Sequence, residues 1–288
     1  SARNGCPTGL ALALQNRPNF VVNAVTYFHE LYATNWPWQR GFWYSPQQRQ
    51  TASVIARFSD EILTNRERSA RWLETRAKRV ARSIVSLPTP SNVAELSVRT
   101  HCRSRDPIAV CFGAAQFKKL FLQKLSADTA MICSAAGVER LVNISEPVAV
   151  DMQPYVDHGI RIEQPGYLSA PEVSALLSTA RLAFIEYFPS YLAKSGSLAA
   201  LGANGVPTVM SDSCRRSADG LVPGRDYLCF DEARRIARNP DKTINRLKQV
   251  ADALFDWYQG HNIDAHARSL LTSVIGPSRL TKKLAITC

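Results

Sequence analysis

Four stretches stand out when the chain is searched for side chains that could do chemistry. Tyr27-Phe28-His29-Glu30 closes an apolar, β-rich run, FVVNAVTY at 20–27. A histidine at a strand terminus can project into a cleft, and an adjacent carboxylate can orient it or accept its proton. The same histidine could instead do no more than tie the strand end to a loop. After it come Tyr32, Trp36, Trp38, Phe42, Trp43 and Tyr44, interleaved with Asn35, Gln39 and Arg40. Such rings form either a stacking surface for a sugar or a lipid-linked acceptor, or a hydrophobic cluster beneath a long loop.

The second stretch is Phe112-Gly113-Ala114-Ala115-Gln116-Phe117-Lys118-Lys119. A glycine where a strand ends lets backbone approach a ligand, and nearby lysines can neutralise phosphate. The third, from Pro189 through Lys194-Ser195-Gly196-Ser197 to Leu198, leads into an Ala/Leu-rich helix. Free amides and the positive end of the helix dipole make such a turn an anion site, with Lys194 as a mobile cation. Ordinary helix capping explains the same residues, and the order of a Walker A loop is absent. The fourth, Gly205-Val206-Pro207-Thr208 leading into 208–212, marks a turn feeding a strand and carries no chemistry.

The elements that must position these groups alternate between strand and helix. In the first segment, strands are expected at 20–27, 61–64 and 83–86. Helices are expected at 45–57, with Ser45 as cap and Pro46 at the first position, and at 65–82, capped by Asn65. Pro88, Pro90 and Pro107 mark 87–106 as a connecting stretch, so the domains are set at 1–95 and 96–288. Beyond it, strands are expected at 108–112, 130–134, 160–163, 182–185, 208–211 and 227–230. Helices are expected at 116–125, 170–179, 195–203, 240–259 and 263–274. Strands separated by helices of this size form right-handed βαβ units, hence parallel sheets and an α/β fold. In such sheets ligands bind at the carboxyl ends of the strands, where the first three stretches fall.

Composition sets the outer limits. The 288 residues are 45% hydrophobic and 20% charged, enough apolar content for a sizeable core and unlike a disordered or coiled-coil chain. No window is long and apolar enough to span a membrane. No signal peptide opens the chain, and without an initiator Met it reads as processed or truncated. Thirty-five basic against 24 acidic residues leave a formal charge of +11, which favours anionic partners. The seven cysteines are scattered without CxxC or metal-ligand spacing, as in a reducing cytoplasm.

The order of these stretches resembles a GT-B glycosyltransferase of the large retaining family 4 type, which includes bacterial mannosyl- and glucosyltransferases. Phe28-His29-Glu30-Leu31-Tyr32-Ala33, 42–49 and 59–65 (SDEILTN) are similar to the acceptor-side domain. Val110-Cys111-Phe112-Gly113 with Lys118-Lys119 resembles the strand and basic pair that open the donor domain. The segment 183–212 with its GVPTV resembles the nucleotide-sugar loop, helix and strand, and 219–227 (DGLVPGRDY) resembles the segment after them.

The resemblance implies two Rossmann-like domains with parallel sheets, the N-terminal one incomplete, with residues 1–17 corresponding to a helix inside it. It implies a glycosyltransferase moving a sugar from a nucleoside diphosphate-sugar to a saccharide or lipid-linked acceptor, with retention, in polysaccharide or glycolipid biosynthesis. His29 and Glu30 would be catalytic. Gly113, Lys118, Lys119, Lys194, Ser195, Gly196 and Ser197 would bind the donor, and Tyr32, Trp36, Trp38 and Trp43 would face the acceptor. The family's two glutamates fall here on Leu192 and Ala200, and Glu186 just upstream would substitute. No cofactor or metal is expected, since cations and helix amides can stabilise the departing diphosphate. The alternative is a catalytically inactive GT-B-like protein binding a nucleotide-sugar or a protein partner. The basic helix at 65–82 suggests peripheral contact with an acidic membrane surface rather than with nucleic acid, and the location expected is cytoplasmic, at the membrane's inner face.

Overall fold

The computed structural model describes residues 5–19, 21, 23–77, 83–95 and 104–275. The chain divides into two compact units, one drawn from Ser1–Pro88 and His266–Cys288 and the other from Thr89–Ala265. The strand expected at 20–27 is found at Val25–Phe28, and the helix expected at 65–82 ends at Glu74 with a turn over 75–77; Lys78, Arg79, Val80, Arg82, His101 and Cys102 lie outside the described residues.

The first unit opens with α1 (Thr8–Gln15), then β1 (Val25–Phe28), α2 (Arg40–Phe58), β2 (Glu61–Thr64), α3 (Glu67–Glu74) and β3 (Ser83–Ser86). The strands form a parallel sheet in the order β1-β2-β3, in register from Phe28 opposite Thr64 to Thr64 opposite Ser86. Phe28, Ile62, Leu73, Ala52, Ile55 and Ala56 pack as its core. Helix α2 begins at Arg40 and not at Ser45, and Pro46 lies inside it. Ser45 is therefore a buried helical residue, not a cap.

The second unit contains β4 (Asp106–Cys111), α4 (Ala115–Lys119) running into a π-helical turn at Leu120–Lys124, α5 (Ser126–Ala135) and β5 (Arg140–Ile144). Then follow α6 (Gln153–Asp157), β6 (Arg161–Gly166), α7 (Ala170–Thr179), β7 (Ala180–Ile185) and a 3-10 turn at Pro189–Lys194. The unit continues through α8 (Gly196–Ala203), β8 (Thr208–Met210), β9 (Leu228–Cys229), α9 (Phe230–Ile236) and α10 (Pro240–Gln259). Last comes α11 (Ile263–Ile275), along which the chain passes into the first unit.

Six parallel strands lie in the order β6-β5-β4-β7-β8-β9. Alternate residues feed opposite faces, as the pleat requires. Ala109, Cys111, Leu182 and Phe184 join one core cluster, whereas Ile108, Val110, Ala183 and Ile185 join the other. Helix α7 starts at a capping box in which Ser169 accepts from the Glu172 amide and Glu172 reaches back to Ser169. That hydrogen bonding holds the Glu172 carboxyl below the usual range.

One expected element is overturned. Residues 130–134 are helical, inside α5, and the strand lies at Arg140–Ile144. Val138 N donates to Cys133 O and Gly137 N to Ser134 O, with Gly137 at φ +66°, so a Schellman turn ends the helix. A short apolar run does not by itself distinguish strand from buried helix.

Candidate functional site

Strand order locates the candidate site in the second unit. The chain starts its sheet at β4, winds outward through β5 and β6, returns to β7 beside β4, and continues outward through β8 and β9. That is the 3-2-1-4-5-6 order of a doubly wound fold, whose crevice opens where the winding reverses, between the carboxyl ends of β4 and β7. The loop after β4 carries Gly113, and the loop after β7 carries 186–197. Two separately chosen sequence stretches thus meet at one topological switch point.

Several bonds build that crevice. Phe112 N donates to Phe184 O at 3.1 Å, carrying the β4–β7 pairing to its lip. Gly113 has φ +127°, a conformation side-chain-bearing residues avoid, and its carbonyl accepts from Ser145 Oγ at 3.2 Å. Phe117 on α4 meets the exposed Phe188 edge-on at 5.3 Å, so rings bridge the two lips.

The two lysines of the basic pair have different surroundings. Lys118 is buried, and its Nζ donates to Ile144 O at 2.7 Å, Ser145 Oγ at 3.1 Å and Glu146 O at 2.8 Å. All three N–H bonds are thus spent on the 144–146 turn, and burial pushes its pKa below the usual lysine value. Lys119 is exposed and makes no ion pair among the described residues. On the opposite lip Lys194 is half-buried, with Nζ 5.5 Å from the Tyr191 ring centre.

Ser195 Oγ accepts from Leu198 N at 3.1 Å, so the hydroxyl caps α8. The first-turn amides of Gly196 and Ser197, both half-buried, have no intrahelical acceptor. Glu186 follows β7 directly, with Oε1 accepting from Ser213 Oγ at 3.0 Å, while the buried Oε2 has no hydrogen-bond partner. A buried acceptor left open is costly, and a ligand hydroxyl or amide would satisfy it. Behind it the Cys214 thiol donates to Tyr187 O at 3.5 Å, and burial pushes its pKa up to about 11.

In the first unit, His29 stands just beyond β1 and is exposed. Its Nδ1 accepts from Asn65 Nδ2 at 3.2 Å, and the same amide donates to His29 O at 3.3 Å. With the amide so assigned, the neutral imidazole carries its proton on Nε2. Asn65, expected as a helix cap, is instead the fully buried group that orients His29, and α3 starts beyond it, with Arg66 as cap. Glu30 is exposed beside it. Tyr32 packs on Trp72 at 5.2 Å, Trp36 and Trp38 stack at 5.3 Å, and Phe42 meets Trp43 edge-on at 5.5 Å.

Arg105 escaped the sequence reading. Its buried guanidinium donates to the carbonyls of Leu177 at 3.2 Å, Ala180 at 3.0 Å, Asn204 at 2.7 Å and Gly205 at 3.0 Å. One side chain thus closes the ends of α7 and α8 and fixes where β7 begins. Surrounded by ordinary residues, it gave no motif. Among the described residues no cluster of three or more His, Cys, Asp or Glu side chains is placed to hold a metal ion. None of their helices is long and apolar enough to cross a membrane.

No protein-family model matches the chain, and no curated protein is similar to it. Solved structures do share its fold. Sucrose-phosphate synthase from Thermosynechococcus elongatus superposes with a TM-score of 0.51 at 15% identity, over 96% of this chain and 71% of that one. The lipopolysaccharide outer core galactosyltransferase WaaB gives 0.51 at 12% identity, over 93% and 78% of the two chains. TarM gives 0.51 at 10% identity over 87% of this chain, which spans 50% of TarM's length. The fold is α/β with parallel sheets, that of the GT-B glycosyltransferases.

Proposed function

We propose that the chain is a glycosyltransferase of the retaining family 4 type. It would move a sugar from a nucleoside diphosphate-sugar to a saccharide or lipid-linked acceptor in polysaccharide or glycolipid biosynthesis. The single observation that carries this reading is the meeting of the loop after β4, with Gly113, and the loop after β7, with Glu186 and the Lys194–Ser197 turn, at one switch point. The galactosyltransferase and sucrose-phosphate synthase activities that name two of the structural relatives support it.

In this reading the diphosphate lies over the crevice, against Lys119, Lys194 and the first-turn amides of Gly196 and Ser197. Glu186 Oε2 accepts from a donor hydroxyl. As the sugar–phosphate bond breaks and the new glycosidic bond forms, negative charge gathers on the departing diphosphate, and these preplaced donors stabilise it. The acceptor's hydroxyl proton leaves with that diphosphate. His29, held by Asn65, presents Nε2–H to orient the donor sugar, with Glu30 beside it. Tyr32, Trp36, Trp38 and Trp43 meet the acceptor side. The charge is met here without a metal, at the cytoplasmic face of a bacterial membrane.

Calorimetric titration with a panel of nucleoside diphosphates, followed by a sugar-nucleotide turnover assay, tests the reading. Binding of one diphosphate is expected. Lys194→Ala should weaken that binding about tenfold, the effect of one charge-assisted contact. His29→Ala should leave it intact while cutting turnover by about a hundredfold or more. Failure to bind every diphosphate would sink the proposal. Binding without turnover of any sugar-nucleotide favours an inactive nucleotide-sugar binder, the reading suggested by Leu192 and Ala200 at the glutamate positions.

A further inference from the structure

We infer that the aromatic turn at 36–44 docks the chain onto an anionic bilayer surface. This goes beyond sugar transfer: the rings assigned to the acceptor side are here given to the lipid in which a lipid-linked acceptor would sit. Trp36, Trp38 and Trp43 are 65%, 77% and 71% exposed, and Phe42 and Tyr44 beside them are also exposed. Isolated exposed apolar residues need no explanation, but five large rings within nine positions do.

The turn is built to hold these rings outward. Gln39 Oε1 accepts from Asn35 Nδ2 at 2.8 Å and Trp36 N at 3.2 Å, and Gln39 N donates back to Trp36 O at 2.9 Å. A Cβ at Gly41 would fall 2.4 Å from Asn35 Oδ1, so any other residue there would displace the Asn35 side chain from its bond to Gln39. On α2 the buried residues Ser45, Ala52 and Ala56 share one face. At about 100° per residue, Trp43 stands roughly opposite them. The core has no use for it.

Charge selects the partner. Between Leu31 and Ser59 there is no acidic residue, and Arg40, Arg49 and Arg57 are all exposed. Arg40 lies within the turn itself, and Arg49 lies 4.3 Å over the ring of Tyr32, four positions before it. Tryptophan rings prefer the headgroup level, and arginines beside them favour anionic lipid. A soluble saccharide would use stacked rings but gains nothing from exposed cations beside them.

The test is co-sedimentation of the full chain with vesicles of phosphatidylcholine alone, or of phosphatidylcholine and phosphatidylglycerol in equal parts, without donor or acceptor. Sugar transfer and membrane docking can therefore fail separately. The chain should bind the anionic vesicles, release as salt rises, and have its fluorescence quenched by acyl-brominated lipid. Replacing Trp36, Trp38 and Trp43 together by Ala should lower partitioning by at least about tenfold. Trp72 and Trp257 remain in that variant as unquenched reporters of an intact fold. Arg40→Glu should weaken anionic-vesicle binding without changing the circular dichroism. The inference is overturned if anionic vesicles are not bound, if the triple variant binds like the parent, or if binding occurs without quenching. Quenching by a soluble oligosaccharide in place of vesicles would overturn it too.

Discussion

The carboxyl edges of the two sheets handle their polar groups in opposite ways. At the β4–β7 edge the strongest groups are turned inward: Lys118 holds the 144–146 turn, Ser195 caps α8, and Ser213 holds Glu186 Oε1. The groups left to meet a ligand there are sparse: Glu186 Oε2 and two helix amides. At the β1–β2 edge one buried amide, Asn65, aims an exposed histidine, and beyond it the rings stand in solvent. The first edge is pre-organised, as a site for a highly charged ligand must be to avoid reorganising during reaction. The second presents surface, which suits a partner that is large, apolar or variable.

If that contrast holds, the largest effect should come from Lys118. Lys118→Met leaves the buried Ile144 carbonyl without its donor, and should cost about 3 kcal/mol or more in urea unfolding. Lys119→Met, one residue along and exposed, should stay within about 0.5 kcal/mol. Equal effects from the two would break the distinction between an inward and an outward lysine. A smaller effect is expected at the other edge. Asn65→Ala removes two hydrogen bonds to His29 and should cost about 1–2 kcal/mol. Asn65→Asp keeps the shape but reverses the bond to Nδ1, so nitrogen NMR should show the His29 proton moved from Nε2 to Nδ1. An unchanged tautomer would mean that Asn65 does not orient the ring.

How far the sequence showed these things depends on whether the cause was local. The start of helix α7 was legible because Pro171 lies in its first turn, where the structure also shows the Ser169–Glu172 cap, and that of α10 because Pro240 starts it. The α5 segment was misread because four apolar residues in a row, 130–133, suit either structure. Only Gly137, whose positive φ ends the helix, could have decided it. The stretches at Gly113 and Lys194–Ser197 were legible as candidates, while their adjacency follows only from strand order. Lys118 and Lys119 are identical in type and adjacent, so nothing local separates them. Asn65 reaches His29 across 36 positions and Arg105 reaches Gly205 across 100, beyond any motif. Residues with strong local chemistry could be found; the residues that hold them could not.

The smallest expected effect tests how well the β4–β7 edge is sealed. Cys111 ends β4 directly beneath Gly113 and is fully buried, and desolvation pushes its thiol from 9.0 to about 12. The folded chain therefore keeps this proton more tightly than the unfolded chain does. Between those two values the native state binds more protons, so the stability contributed is complete below pH 9 and falls as pH rises toward 12. At pH 10 the loss from this one group is about 1.4 kcal/mol, the worth of one unit of pH. Cys111→Ala removes the group, so its unfolding free energy should fall less steeply between about pH 9 and 10 than the parent's. It should also be a little lower at neutral pH, because the cavity is small. Equal slopes would mean that the thiol is already hydrated. Water would then reach the floor of the crevice, and the contrast with the open edge at His29 would lose its basis.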